Sequence, residues 1–334
     1  MNRARAVRWG PWLIAAAIVI VGVSLSREHA TIYFWSTVAV MALYATSVNL
    51  LIGYSGIPSF GQAAYFGIGA YTVGLLGSTA PAPMLLAIPL AGFVAAIAAL
   101  LVGLVGLRVS GLAFSMLTLA FAQALFTLTF RLPVLGGENG FVGIIPQRIL
   151  GLDLAREPLF LWLSVVLVVA IGLAGLRLVV VSPFGRTLQM MRDDPWRTSF
   201  LGIPVFRYQT AAFVIAGFLA GVCGAMYAYI QGVVGPDYLF WTRSGEPIIM
   251  SIVGGMRHFG GPVVGTVVYM WTVDTLSKHT AAWVLWVGIA FLAVVIAAPD
   301  GILGLPATVR RWRSFLSRRR THVVAPTVVE AKPE

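Results

Sequence analysis

The chain has 334 residues, 59% of them hydrophobic and 10% charged, with a formal net charge of +11 and a mean hydropathy of +0.89. A soluble domain carries roughly 25% charged residues, and one soluble core stops growing at about 250–300 residues, so apolar content spread over this whole length excludes an ordinary soluble fold and points to a polytopic membrane protein. The basic balance does not point to nucleic acid: the arginines cluster between apolar stretches and at the two ends, without an RNA-binding signature or zinc spacing, as in loops on the cytoplasmic side of a membrane.

A helix needs about 20 apolar residues to cross the hydrocarbon. The first candidate is 12–26, which resembles a signal peptide. No A-x-A-like site follows it and more apolar segments come after, so it is expected to stay attached as a first membrane helix. Further candidates are 32–52, 62–79, 84–106, 111–130, 158–180, 209–230, 262–276 and 281–298. A weaker stretch, 245–256 ("GEPIIMSIVGGM"), is too short to span alone and reads as a half-helix or re-entrant segment. Counted as a crossing, it brings the total to about ten and puts both termini on one side. The charges agree with that count. Arg3, Arg5 and Arg8 precede the first segment, and Arg310, Arg311, Arg313, Arg318, Arg319 and Arg320 follow the last. Both ends are therefore expected to be cytoplasmic, as is 181–208 with Arg186, Arg192, Arg197 and Arg207. The opposite side receives 131–157, where Glu138, Asp153 and Glu157 offset the arginines. Residues 1–309 thus read as one all-α membrane domain, a polytopic helical bundle, and 310–334 as a basic, mobile cytoplasmic tail.

The stretch "GYSGIPSFGQAAYFGIGAYT", Gly53–Thr72, is free of charge, yet it holds five glycines, Pro58, Ser55, Ser59 and Gln62. One reading is a broken helix lining a solute path, because unwound backbone is tolerated in a membrane only where protein or water covers it. Ser59 and Gln62 would then meet a polar solute, and Phe60, Tyr65 and Phe66 its apolar parts. The other reading is close helix packing through small residues, which the Gly217-x-x-x-Gly221 and Gly261-x-x-x-Gly265 spacings also suit. For Ser59 and Gln62 both readings stay open.

Some chemistry is missing. There is no G-x-x-x-x-G-K-[ST] loop, so the chain is not expected to hydrolyse ATP itself, and no cofactor is expected in it. The four histidines are scattered, without metal-ligand spacing. Cys223 lies in an apolar stretch and reads as a small buried hydrophobe. Asp274 is the one carboxylate well inside a candidate span, and Lys278 beside it suggests an interfacial pair. A proton-driven carrier would more naturally hold a buried carboxylate near mid-helix, so this pattern weighs against secondary transport.

The loop "VVVSPFGRTLQMMRDDPWRTSFLGIPVFRYQT" carries two helix starts in a row. Ser182 can cap a helix with Pro183 at its first position, and Asp194 can cap a second with Pro195. Phe184, Leu188 and Met191 share one face of the first, with Arg186, Gln189 and Asp193 on the other; Gly202 ends the second. Such an element suits a docking knob for a partner protein, or an amphipathic stretch held by its arginines on the bilayer surface.

Six segments, in order, carry a resemblance. "NLLIGYSGIPSFGQAAYFGIGAYT", "LRVSGLAFSMLTLAFAQ" (107–123), "GGENGFVGI" (136–144), "SPFGRTLQMMRDDPWRTSFLGI" (182–203), "GGMRHFGGPVVG" (254–265) and "PDGILGL" (299–305) resemble the signatures of the LivM-type permease subunit of ABC importers for branched-chain amino acids. The match runs from about residue 40 to 306. The resemblance implies a bacterial inner-membrane protein that works with a second, LivH-like permease subunit, two cytoplasmic ATPases that bind the ATP and magnesium, and a periplasmic binding protein that delivers the solute. It implies ATPase docking through Gly185, Arg186, Arg192, Asp193, Asp194 and Gly202; Asn139 and Gly140, on the outer loop, suit either contact with the binding protein or a simple turn. Two departures stand out: Asp194-Pro195 where the family more often continues a helix, and Arg257-His258 where glycine and small polar residues are usual. Urea and short-chain amide permeases share much of the pattern and form the alternative reading, ahead of a proton-coupled secondary carrier or a membrane scaffold without transport.

Overall fold

The computed structural model describes residues 28–79, 83–145, 158–298 and 300–304. The candidate span 12–26 and the tail 310–334 lie outside them. In chain order the helices are α1 (His29–Asn49), α2 (Gln62–Thr79), α3 (Met84–Gly106), α4 (Leu112–Arg131), α5 (Pro158–Val181), α6 (Pro183–Asp193), α7 (Pro195–Phe200), α8 (Val205–Gln231), α9 (Thr242–Gly254), α10 (Gly261–His279) and α11 (Trp283–Ala297). The only strands among the described residues are β1 (Phe141–Val142) and β2 (Val233–Val234), two residues each and antiparallel.

Among the described residues, five helical segments are long and apolar enough to cross a membrane: His29–Ser55, Met84–Gly106, Leu112–Arg131, Pro158–Val181 and Val205–Gln231. They fall into two groups. The first and last are largely enclosed by the other helices, whereas α3, α4 and α5 are mostly uncovered. The uncovered faces are apolar: Phe93, Ile97 and Leu101 on α3, and Leu163, Leu167 and Ile171 on α5, all stand exposed. Exposed apolar stripes of this length suit lipid or another membrane subunit rather than water. Several such helices in one chain mark a multi-pass helical membrane protein.

The centre is built from small residues. Gly221 of α8 lies against Ala91 and Ala95 of α3, and Gly217 lies against Ala99. On its other side α8 meets α2, where Gly69 faces the backbone of Gly221 and Gly224 faces the carbonyl of Phe66. Backbones this close gain dispersion contacts that a side chain would prevent. Gly261 and Gly265 do the same for α10, lying against Gly255 and Met250. Cys223 is buried within α8, and Lys278 and Asp274 form an exposed i,i+4 pair at 2.6 Å.

Two segment boundaries differ from the sequence expectation. The first described helix runs His29–Asn49 and then widens into a π-helical turn, Leu50–Ser55. The helix expected at 209–230 begins earlier, at Val205. Phe184 of α6 stacks on Tyr208 at 5.4 Å, which ties this extra turn to the preceding loop.

Candidate functional site

The segment Gly53–Thr72 is a break between two helices. After the π-turn, Gly56 adopts φ 69° and its N–H, like that of Ile57, bonds back to the carbonyl of Leu51. Only a residue free of Cβ strain takes that conformation cheaply, so Gly56 ends the helix. Residues 56–61 then run without regular structure until α2 begins at Gln62.

Unpaired backbone in such a place must find partners. Three neighbouring elements supply them, and a fourth, the α9–α10 turn, holds the Asn49 side chain at the end of α1. From α4, Ser115 Oγ donates to the carbonyl of Pro58 at 2.8 Å, and Thr118 Oγ1 accepts from Phe60 N–H at 3.2 Å. From α9, Ser244 Oγ accepts from Ala63 N–H at 2.8 Å, so a side chain of one helix caps the start of another. In the α9–α10 turn, the carbonyl of Met256 accepts from Asn49 Nδ2 at 3.2 Å. From α6, Arg192 Nη1 donates to the carbonyl of Gly53 at 2.5 Å. Gly53 and Gly61 have no room for a side chain, since Asn49 and Met256 crowd the first and Thr118 the second.

The first turns of α2 and α9 therefore meet, and each brings the positive end of a helix dipole to the junction. Beside them, Arg243 Nη1 pairs with Glu246 at 3.2 Å, one turn apart on α9. The Arg243 guanidinium also lies over the rings of Tyr227 and Tyr238, at 5.6 and 5.9 Å. Tyr44 donates through its hydroxyl to the Arg243 carbonyl at 3.4 Å, and Phe66 packs among Tyr44, Tyr227 and Tyr238. The result is a charged pair of opposite signs on an aromatic bed.

The expected path residues all lie at this junction, in different roles. Ser59 is buried and bonds within the break, accepting from Gly61 N–H at 3.4 Å. Phe60 is half-buried. Tyr65 is enclosed against Phe213 of α8, at 5.6 Å in an edge-on pair, and its hydroxyl has no partner. Gln62 is 0% exposed, and neither its amide oxygen nor its amide nitrogen meets a hydrogen-bond partner. A buried amide left this way costs about 1–3 kcal/mol, so it asks for a polar guest.

In the loop, both caps form as the sequence indicates. Ser182 Oγ accepts from Gly185 N–H, Asp194 Oδ1 accepts from Arg197 N–H at 3.0 Å, and Gly202 has φ 78° just past α7. Leu188 and Met191 are buried, while Arg186 and Asp193 are exposed. Two docking candidates face inward. Gly185 is buried against the carbonyls of Val179 and Val180, which bends the chain from α5 into α6. Arg192 is turned onto Gly53, packs its stem on Gly56, and pairs with the neighbouring Asp193 at 3.1 Å. What α7 presents instead is apolar: Trp196 at 77% and Phe200 at 86% exposure, with Leu201 beside them. Asn139 is exposed in the turn 136–140 that leads into β1, and Gly140 packs on the backbone of Val234.

Sequence reasoning passed over Arg243, Ser244, Glu246, Asn49, Ser115 and Thr118. Their only local signal is a hydroxyl, amide or charge in or beside an apolar run. Their role comes from pairing with residues far along the chain.

Comparison with known proteins is consistent with this architecture. Residues 30–299 match the family described as the permease component of branched-chain amino acid transport systems. The high-affinity branched-chain amino acid transport system permease protein LivM of Salmonella typhimurium is 24% identical over 315 residues, covering 87% of this chain and 74% of that protein. LivM of Escherichia coli shows the same identity and coverage. A probable branched-chain amino acid transport permease protein LivH of Methanocaldococcus jannaschii is 25% identical, covering 79% of this chain and 89% of that one. No solved structure matches at the same level of significance. The chain belongs to the permease family of branched-chain amino acid ABC transport systems.

Proposed function

We propose that this chain is one of two permease subunits of a bacterial inner-membrane importer, with the solute passing the junction of α2 and α9. It crosses the membrane about ten times with both termini cytoplasmic. Two facts support that alternation: β1 pairs with β2, joining the loops before α5 and after α8 at one end, and the loop 181–208 and the α9–α10 turn line a common cavity at the other.

The observation that carries the proposal is the bond from Arg192 to Gly53. It ties a helix in the loop between two spans to the backbone of the break. The partner ATPases, which hold ATP and magnesium, would dock on Trp196, Phe200 and Leu201. Movement of α6 would then reach the break through Arg192. This chain needs no phosphate loop for that.

The solute is a branched-chain or related amino acid. Its carboxylate and ammonium complement Arg243 and Glu246, which would exchange their mutual pair for the solute. The helix N-termini favour the carboxylate, as at other broken membrane helices. Gln62 would bond the solute's remaining polar atom, and Phe60 and Phe66 would meet its side chain. Asn139 and Gly140 stand on the outer face, where a periplasmic binding protein would deliver it.

Reconstitution with the companion permease, ATPases and binding protein tests this. Uptake of a branched-chain amino acid that requires ATP, and is lost in both Arg243→Gln and Glu246→Gln, is the expected result. ATP-free uptake driven by a proton gradient would overturn it. Urea uptake that survives both substitutions would favour the amide permeases.

A further inference from the structure

A second site lies away from this junction. A cavity of about 660 Å³ opens where α5 ends, between α6, the α9–α10 turn and the residues after α11. That size falls within the roughly 300–1,000 Å³ of ligand pockets. Arg177, Arg186, Arg257 and His258 line it, together with Gln189, and among the described residues no carboxylate does. Asp300 stands 4.0 Å from Arg257, whose side chain is still 72% exposed. Arg177 is held in place over the ring of Phe259 at 5.7 Å. Guanidinium groups converging from three separate elements suit an oxyanion, and above all a phosphoryl group, which they grip in a bidentate manner.

The other wall is apolar. Val180 and Val181 from the last turn of α5 line the cavity beside Phe259. The outer face of α5 continues away from it as Leu178, Ile171, Leu167 and Leu163, all exposed. A basic cavity at the end of an uncovered apolar helix matches an amphiphile: a charged head in the cavity and acyl chains along the helix. Basic pockets at the cytoplasmic ends of membrane helices hold anionic headgroups in this way.

We infer that the cavity lined by Arg177, Arg186, Arg257 and His258 binds the phosphate headgroup of an anionic phospholipid from the leaflet on the docking-loop side. The lipid bridges α5, the docking helix α6 and the α9–α10 turn, so it sets the position of the element that reaches the break. Arg257 and His258, from the α9–α10 turn, are the groups that complete the site.

The full chain is reconstituted in nanodiscs of phosphatidylcholine with about one-fifth phosphatidylglycerol, extracted in mild detergent, and its retained lipid counted by mass spectrometry. Retention of phosphatidylglycerol over phosphatidylcholine is expected, falling at least about fivefold in Arg257→Gln/His258→Gln, since each basic group near a membrane surface contributes about 1 kcal/mol. Arg257→Lys should recover part of it. Arg207→Gln, exposed at the start of α8 and outside the cavity, should retain as much as the parent chain. Equal retention of both lipids, or phosphatidylglycerol retention unchanged in the double variant, would overturn the inference. So would inorganic phosphate binding with the same variant dependence while phosphatidylglycerol does not bind, which would mark a solution anion as the ligand. Arginine-dependent binding of only an acidic ATPase segment would likewise reassign the cavity to that partner.

Discussion

Arg192 donates to the carbonyl of Gly53, a residue 139 positions earlier in the chain. The first residue sits on the loop between α5 and α8, the second in a helix opened by a π-turn. The carbonyl is available because the α-helical ladder stops at Gly56. Gly56 also lies directly against the Arg192 stem, where a Cβ would come 2.8 Å from Cγ. Loop and break are thus one mechanical unit, linked by a charged hydrogen bond and a glycine contact.

Gln62→Leu should separate function from stability. The amide has no partner in its buried site, so replacing it with an apolar group of similar size removes an unpaid desolvation of about 1–3 kcal/mol. The variant is expected to unfold at an equal or higher temperature in detergent, while amino acid uptake falls. Lower thermal stability with unchanged uptake would remove Gln62 from the path.

Ser244→Ala should do the opposite. It leaves the buried N–H of Ala63 without its acceptor, at a cost of about 1–3 kcal/mol. A lower unfolding temperature is expected. Ser244→Thr, which keeps the hydroxyl, should recover part of it if the bond rather than the volume matters.

Gly69→Ala tests the close approach of α2 and α8. Its new methyl group would run into the backbone of Gly221, and overpacking of this kind costs about 1–3 kcal/mol. Reduced folded yield and a lower unfolding temperature are expected. Gly77→Ala on the same helix has open space and should leave both unchanged.

Trp196→Ser/Phe200→Ser should leave the chain folded, because both side chains are largely exposed. Association with the ATPase subunits is expected to weaken by at least about tenfold, as for central aromatic anchors of an interface. Pull-down of the ATPases by the variant and the parent chain measures this.

Much of the fold was legible from local signals. Ser182-Pro183 and Asp194-Pro195 fix two helix starts through hydroxyl and carboxylate caps, and each cap forms within three residues in sequence. The charge-free glycines of 53–72 suited either a break or close helix packing, and both occur: Gly56 ends the helix at φ 69°, while Gly69 lies against Gly221. The site was less legible. Ser244 caps a helix 181 positions away, and Asn49 reaches Met256 across 207, so neither role has a local pattern. Arg192 shows the same limit, since amphipathic spacing places it on a helix but not which way a long side chain turns. The exposure of Trp196 and Phe200 had no local signal either, since a helix of six residues is too short for a periodic pattern to define its faces.

Transport per ATP hydrolysed in Arg192→Ala, in the reconstituted transporter, measures the link between loop and break directly. Assembly and ATP hydrolysis should persist, because Trp196, Phe200 and Leu201 remain. Amino acid uptake per ATP should fall by at least about tenfold, in keeping with the roughly 1.5–3 kcal/mol of a charged hydrogen bond. Unchanged uptake per ATP, with the complex intact, would contradict a role for the Arg192–Gly53 contact in coupling.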